Sequence, residues 1–130
     1  MARPEGMQNV LRNVCMSDTT VRWIPLGGLG EIGKNMMALE SGDTIVVIDT
    51  GIMFPENDML GIDYIIPDFG YLRDKKHKVR AIVVTHGHED HTGAIHHVLD
   101  EIGAPIYATS LTLALLEAKL NRNAQTKAGL

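Results

Sequence analysis

The run Val79-Arg80-Ala81-Ile82-Val83-Val84-Thr85-His86-Gly87-His88-Glu89-Asp90-His91 joins two different kinds of sequence. Its first half carries the apolar stretch Ala81 to Val84, the pattern of a buried strand. Its second half sets four potential metal ligands, His86, His88, Asp90 and His91, within six positions. Side chains two apart in an extended segment project to the same side, so His86 and His88 can reach one ion. Asp90 projects in the same sense and His91 follows at a helix start, so this second pair can reach a neighbouring ion. Nitrogen and carboxylate donors suit zinc, with manganese or iron as alternatives. Two ions about 3.5–4 Å apart can hold a hydroxide between them and offset the charge that builds on a phosphate. Packing alone gives no reason for histidines to alternate in this way.

Downstream, Asp90 or His91 opens a helix in which Ile95, Val98, Leu99 and Ile102 share a face, and Gly103 closes it. Pro105 to Ala108 reads as a short strand, and Ser110 caps a leucine-rich helix that runs to about Leu120. Upstream, Tyr71 to Lys78 predicts a short helix with a basic end. Gly51 to Phe69, with Pro55, Gly61 and Pro67 among acidic residues, predicts a long ordered loop of the kind that often carries function. Thr44 to Ile48 is a β-branched strand running into Asp49. Asn35 to Glu40 and Val21 to Leu26 are further strands, separated by a glycine loop from Gly27 to Gly33. Residues 1–20 have little periodicity, although Val10, Leu11 and Val14 share a helical face. They predict a flexible leader ahead of one domain over residues 21–130. Early strands followed by strand-helix alternation give a layered α/β (α+β) domain.

Composition narrows the class without naming an activity. The 130 residues are 45% hydrophobic and 22% charged, as in an ordinary globular domain with one core. The formal net charge of −4 offers no basic face for nucleic acid. Two zinc ions would add four positive charges at one spot and change that balance locally. Cys15 is the only cysteine, which rules out an internal disulfide and suits a reducing cytoplasm. The longest apolar runs are too short to cross a bilayer. Arg3, Glu5, Arg12 and Asp18 interrupt any secretory signal, so no membrane partner is expected.

The histidine-aspartate loop resembles the metallo-β-lactamase superfamily, whose hallmark is His-x-His-x-Asp-His. Around it, Gly28-Leu29-Gly30-Glu31-Ile32-Gly33-Lys34-Asn35, Ile48-Asp49-Thr50-Gly51, Met53-Phe54-Pro55-Glu56, Met59-Leu60-Gly61-Ile62-Asp63 and Ile66-Pro67-Asp68 are similar to ribonuclease J. That family couples a metallo-β-lactamase domain to an inserted β-CASP domain. The similarity runs from about Val21 to Leu120. It implies the N-terminal half of an αββα sandwich and a centre of two divalent metal ions, zinc foremost and manganese as the alternative. It also implies 5′-to-3′ exonuclease and endonuclease action on RNA, of the kind used in rRNA processing and mRNA decay, and a homo-oligomer at full length. By match to the motif, His86 and His88 would bind one ion, and Asp90 and His91 the other. Asp49 matches the superfamily's first motif and would hold the histidine loop through hydrogen bonds; Asp49 and Asp90 are the catalytic candidates. The superfamily's later ligands and the β-CASP insertion have no counterpart here. The chain therefore reads as a fragment with little nuclease activity of its own and with exposed core surface.

Three other readings compete. Glyoxalase and lactamase relatives share the metal loop, and only the flanking motifs favour the RNA branch. Gly28-x-Gly30-x-x-Gly33 also matches a dinucleotide fingerprint, with Asp49 about twenty positions on, where a ribose-binding acid belongs. That Rossmann-type reading requires a helix from about Glu31 to Ser41, where Ser41-Gly42-Asp43 looks like a hairpin turn. A non-catalytic module could keep the metal as a structural staple; loss of fold stability with metal in a His88 variant would mark it. His96 and His97 read as surface residues, Lys75 to Lys78 as a solvated helix end, and the Met36-Met37 pair as core filling.

Overall fold

The computed structural model describes residues 20–130, so the expected leader, Thr20 apart, lies outside the described residues. Five strands form one sheet in chain order: β1 (Arg22–Gly27), β2 (Met36–Ser41), β3 (Thr44–Ile48), β4 (Val79–Val83) and β5 (Ile106–Tyr107). The first three run antiparallel, and β3, β4 and β5 run parallel. Parallel neighbours need crossovers. The first contains the long loop, α1 (Gly70–Arg73) and a 3-10 turn at Lys76–Lys78; the second contains α2 (Glu89–Thr92) and α3 (Ile95–Glu101). Two more helices, α4 (Ser110–Lys119) and α5 (Arg122–Ala128), complete the described chain.

Alternation along the strands sorts the side chains into two faces. Met36, Ala38, Ile45, Val47 and Ile82 are buried in one cluster with Phe69, Leu72, Ile95, Val98, Leu99 and Leu116 from the loop and helices. Each large side chain so buried contributes about 1.5–3 kcal/mol. On the other face the register sets Trp23 against Leu39 and Leu39 against Val46, and sets Ile48 beside Val83 and Val83 beside Tyr107. There Leu39, Val46, Ile48 and Val83 are only half-buried, while Trp23 is 68% and Tyr107 59% exposed. The described residues thus form one β layer and one α layer, half of the expected sandwich.

Several expectations are corrected. The Rossmann-type reading fails because β2 occupies the residues that needed to be helical. The expected continuous helix from residue 90 is two pieces. The Ala94 amide leaves the helical ladder and donates to the Thr50 carbonyl at 2.8 Å, which separates α2 from α3. Tyr71 to Lys78 is split between α1 and the 3-10 turn. Thr109, not Ser110, caps α4, its hydroxyl accepting from the Thr112 amide. No helix of the described residues is long and apolar enough to cross a membrane.

At the sheet end near β1, the buried carboxylate of Glu40 accepts from Tyr71, Arg22 and Lys75. The Tyr71 hydroxyl first, then Lys75 and Arg22, hold the Glu40 carboxyl below the usual carboxylate range. A depressed folded-state pKa adds stability that is present above the unfolded value, about 4.3, and is lost as pH falls through the folded value. Glu40→Gln should therefore lower the melting temperature at neutral pH and flatten the loss of stability below about pH 4.3. Thermal melts of both proteins from pH 7 to pH 3 check this; parallel curves would refute it.

Candidate metal centre

Because β3 and β4 are parallel neighbours, the segments that leave their C-terminal ends emerge side by side, where sheets of this kind place their ligands. Asp49 follows β3, and the loop from Thr85 to His91 follows β4. The Asp49 amide donates to the Val83 carbonyl at 2.9 Å, which brings the carboxylate under the loop. Asp49 has φ +60, a left-handed conformation that Asp and Asn tolerate better than most residues. Its buried carboxylate receives three donors. The Thr85 amide donates to Oδ1 at 2.8 Å, the Thr85 hydroxyl to Oδ2 at 2.9 Å, and His91 Nδ1 to Oδ2 at 2.8 Å. Charge-assisted bonds of this kind are about twice as strong as neutral ones and offset the backbone strain.

These bonds set the histidine tautomers. In a neutral His91, Nδ1 must carry the proton, because its partner is a carboxylate; Nε2 is left with a lone pair. The Thr85 hydroxyl spends its only proton on Asp49, so it must accept from His86 Nδ1, 3.0 Å away. His86 Nε2 then also presents a lone pair. It faces His88 Nδ1 at 3.2 Å, and His91 Nε2 faces Asp90 Oδ2 at 3.4 Å. The imidazoles crowd together, with ring centroids 4.7 Å apart for His86 and His88 and 4.2 Å for His86 and His91.

The donor set fits divalent ions two residues at a time. Two donors each about 2.0–2.1 Å from a tetrahedral zinc stand about 3.3–3.4 Å apart. The His86–His88 and Asp90–His91 separations of 3.2 and 3.4 Å match that spacing. Among the described residues, no three His, Cys, Asp or Glu side chains form a group able to hold a metal. Each pair therefore has the spacing of two donors to one ion and no more. All five predicted site residues, His86, His88, Asp90, His91 and Asp49, come together at this one corner.

The loop is held from both sides. On the β3 side, the amides of Ile52, Asn35 and Thr50 donate to the carbonyls of Glu89, Asp90 and His91 at 3.0, 3.1 and 2.8 Å. Gly51 lies so close that a Cβ there would stand 1.6 Å from the Asp90 carbonyl oxygen. On the α4 side, Lys119 pairs with Glu89 and Leu115 packs over Gly87. A shallow cleft lined by Ile32, Ile52, Met53 and Phe54 opens beside Asp90. His96 is exposed and His97 hydrogen-bonds the Tyr64 hydroxyl at 3.0 Å, away from the metal loop. The sequence reading missed Thr85 and Asn35. Thr85 adjoins His86, so its place was available; Asn35 stands 55 residues from Asp90 and carried no local signal.

The chain matches the family described as the metallo-beta-lactamase superfamily over residues 29–129. It is 48% identical over 113 residues to ribonuclease J 1 of Streptococcus pyogenes, covering 87% of this chain and 20% of that protein. It is 50% identical over 102 residues to ribonuclease J2 of Bacillus subtilis, covering 78% of this chain and 18% of that protein. The chain thus spans about a fifth of the length of these curated relatives. Among solved structures, the DIM-1 metallo-beta-lactamase is similar, with 22% identity and a TM-score of 0.46, over 76% of this chain and 41% of that one.

Proposed function

Because the chain belongs to the metallo-beta-lactamase superfamily, we propose that it carries part of the metal centre of an RNA-cleaving hydrolase of the ribonuclease J kind. The observation that carries the metal reading is the pair of donor separations, 3.2 Å for His86–His88 and 3.4 Å for Asp90–His91. The RNA substrate rests on likeness to ribonucleases J, since a net charge of −4 gives it no support.

His86 and His88 hold one divalent ion and Asp90 and His91 the other, zinc foremost with manganese as the alternative. Such ions, when bound, ease the deprotonation of water near neutral pH and offset charge building on a scissile phosphate. The protein's own part is to orient. Asp49 keeps the proton on His91 Nδ1, Thr85 keeps the proton on His86 Nδ1, and Asp90 supplies negative charge to one ion. The activity is 5′-to-3′ exonucleolytic and endonucleolytic cleavage of RNA phosphodiesters. Two donors per ion among the described residues fall short of the usual four, so metal binding should be weak and RNA cleavage poor. The same reading puts the protein in the cytoplasm, as a homo-oligomer at full length.

Elemental analysis tests the centre directly. After equilibrium dialysis against excess zinc or manganese the protein should hold metal above the buffer level, and changing His86 and His88 together to alanine should remove the ion held by that pair. Unchanged metal content in the double variant would defeat the assignment.

A further inference from the structure

The glycine-rich stretch from Gly27 to Gly33 loses its dinucleotide reading, yet it is built against the metal corner. Its first positive-φ residue, Gly28 at +83, passes over the side chain of Asn35. A Cβ at Gly28 would stand 2.6 Å from Asn35 Oδ1 and 3.2 Å from its Cα, so only glycine lets the chain lie there. From behind, the Asn35 carbonyl accepts from the Gly51 amide at 2.9 Å, and its own amide donates to the Asp90 carbonyl at 3.1 Å. The main chain of Asn35 is thus fixed by its two backbone bonds, and Gly28 covers the carboxamide from the other side.

Its Nδ2 points at the second donor pair. It donates to the Asp90 carbonyl at 3.1 Å and lies 3.4 Å from both Asp90 Oδ2 and His91 Nε2, the two atoms assigned to one ion. The carbonyl and carboxylate oxygens can only accept, so the NH2 group, not Oδ1, must face them. Among the described residues no carboxamide stands against His86 and His88: their hydrogen bonds run to Thr85 and to each other.

We infer that Asn35, clamped by the glycine loop, is a positioning residue that presents Asp90 and His91 together to the second ion. This rests on the metal reading above. Outer residues that orient metal ligands change metal affinity about 10–100-fold when lost. The effect here is confined to one of two sites, because Asn35 touches only one pair.

Cobalt(II) titration of the full chain, followed by its visible d–d bands and by calorimetry, separates the two readings. Wild type should bind two ions. Asn35→Ala, which removes the donor and adds no charge or new ligand beside the ion, should weaken one ion about 10–100-fold and leave the other unchanged. Gly28→Ala, which pushes on Oδ1 without touching a ligand, should weaken the same ion. The melting temperature of metal-free Asn35→Ala should stay within a few degrees of wild type. If wild type binds no cobalt, the metal reading itself falls. If wild type binds two ions and both variants do as well, or if both ions weaken together, Asn35 has no positioning role at that pair. A large drop in metal-free melting temperature would make the residue structural and overturn the inference in the same way.

Discussion

Gly51→Ala is expected to destabilise the protein by more than about 3 kcal/mol, or about 10 °C or more in melting temperature. The added Cβ would meet the Asp90 carbonyl oxygen at 1.6 Å and its carbon at 2.2 Å. Both are backbone atoms, and both are fixed by the hydrogen bonds that Asn35, Thr50 and Ile52 donate to the loop. Relief requires the segment after β3 to part from α2, which breaks those bonds. Gly87→Ala is the matched control. Its Cβ meets only the tip of Leu115, which can turn away, so its melting temperature should fall far less. Thermal unfolding by circular dichroism compares the two; equal melting temperatures would mean that the close approach at Gly51 does not exist.

Asp49→Asn is expected to reverse the tautomer of His91 and to lower metal affinity about 10–100-fold. The amide has the same shape, and Asn accepts a left-handed φ as readily as Asp, so the backbone at +60 can persist. One of its two positions becomes a donor, while the Thr85 amide, the Thr85 hydroxyl and His91 Nδ1 all need an acceptor. The Thr85 amide cannot yield, because it has no acceptor to offer, so it takes the remaining oxygen. His91 then relieves the conflict by moving its proton to Nε2, where it blocks the lone pair that faces Asp90. Nitrogen-15 NMR of the imidazoles reads the tautomer without any metal present. A His91 ring that stays Nδ1-protonated in the variant would show that Asp49 does not set it.

The strands were legible as short apolar, often β-branched runs bounded by turn residues, and β1 to β4 lie within a residue or two of where those runs put them. The candidate metal loop stood out because its four potential donors are local: four side chains in six positions need no knowledge of distant contacts. The break between α2 and α3 was not legible, because the partner that draws off the Ala94 amide is Thr50, far away in sequence. For the same reason Asn35 read as one letter of a motif, while its chemistry depends on Asp90. Helix α5 was missed differently. Its buried residues are only Ala124 and Ala128, too small to register as an apolar stripe, although Asn121 and Gly129 are sound cap residues at its two ends.

The chain has a single tryptophan, and it stands on the half-open side of the sheet, 68% exposed across from Leu39. Its intrinsic emission therefore comes from one known spot and carries the red-shifted colour of an indole in water. Whatever settles on that side, whether more of the same polypeptide or a second molecule, displaces solvent from the ring and moves the spectrum to the blue. The protein thus carries an optical gauge of whatever covers that side, readable without a label and independent of any metal.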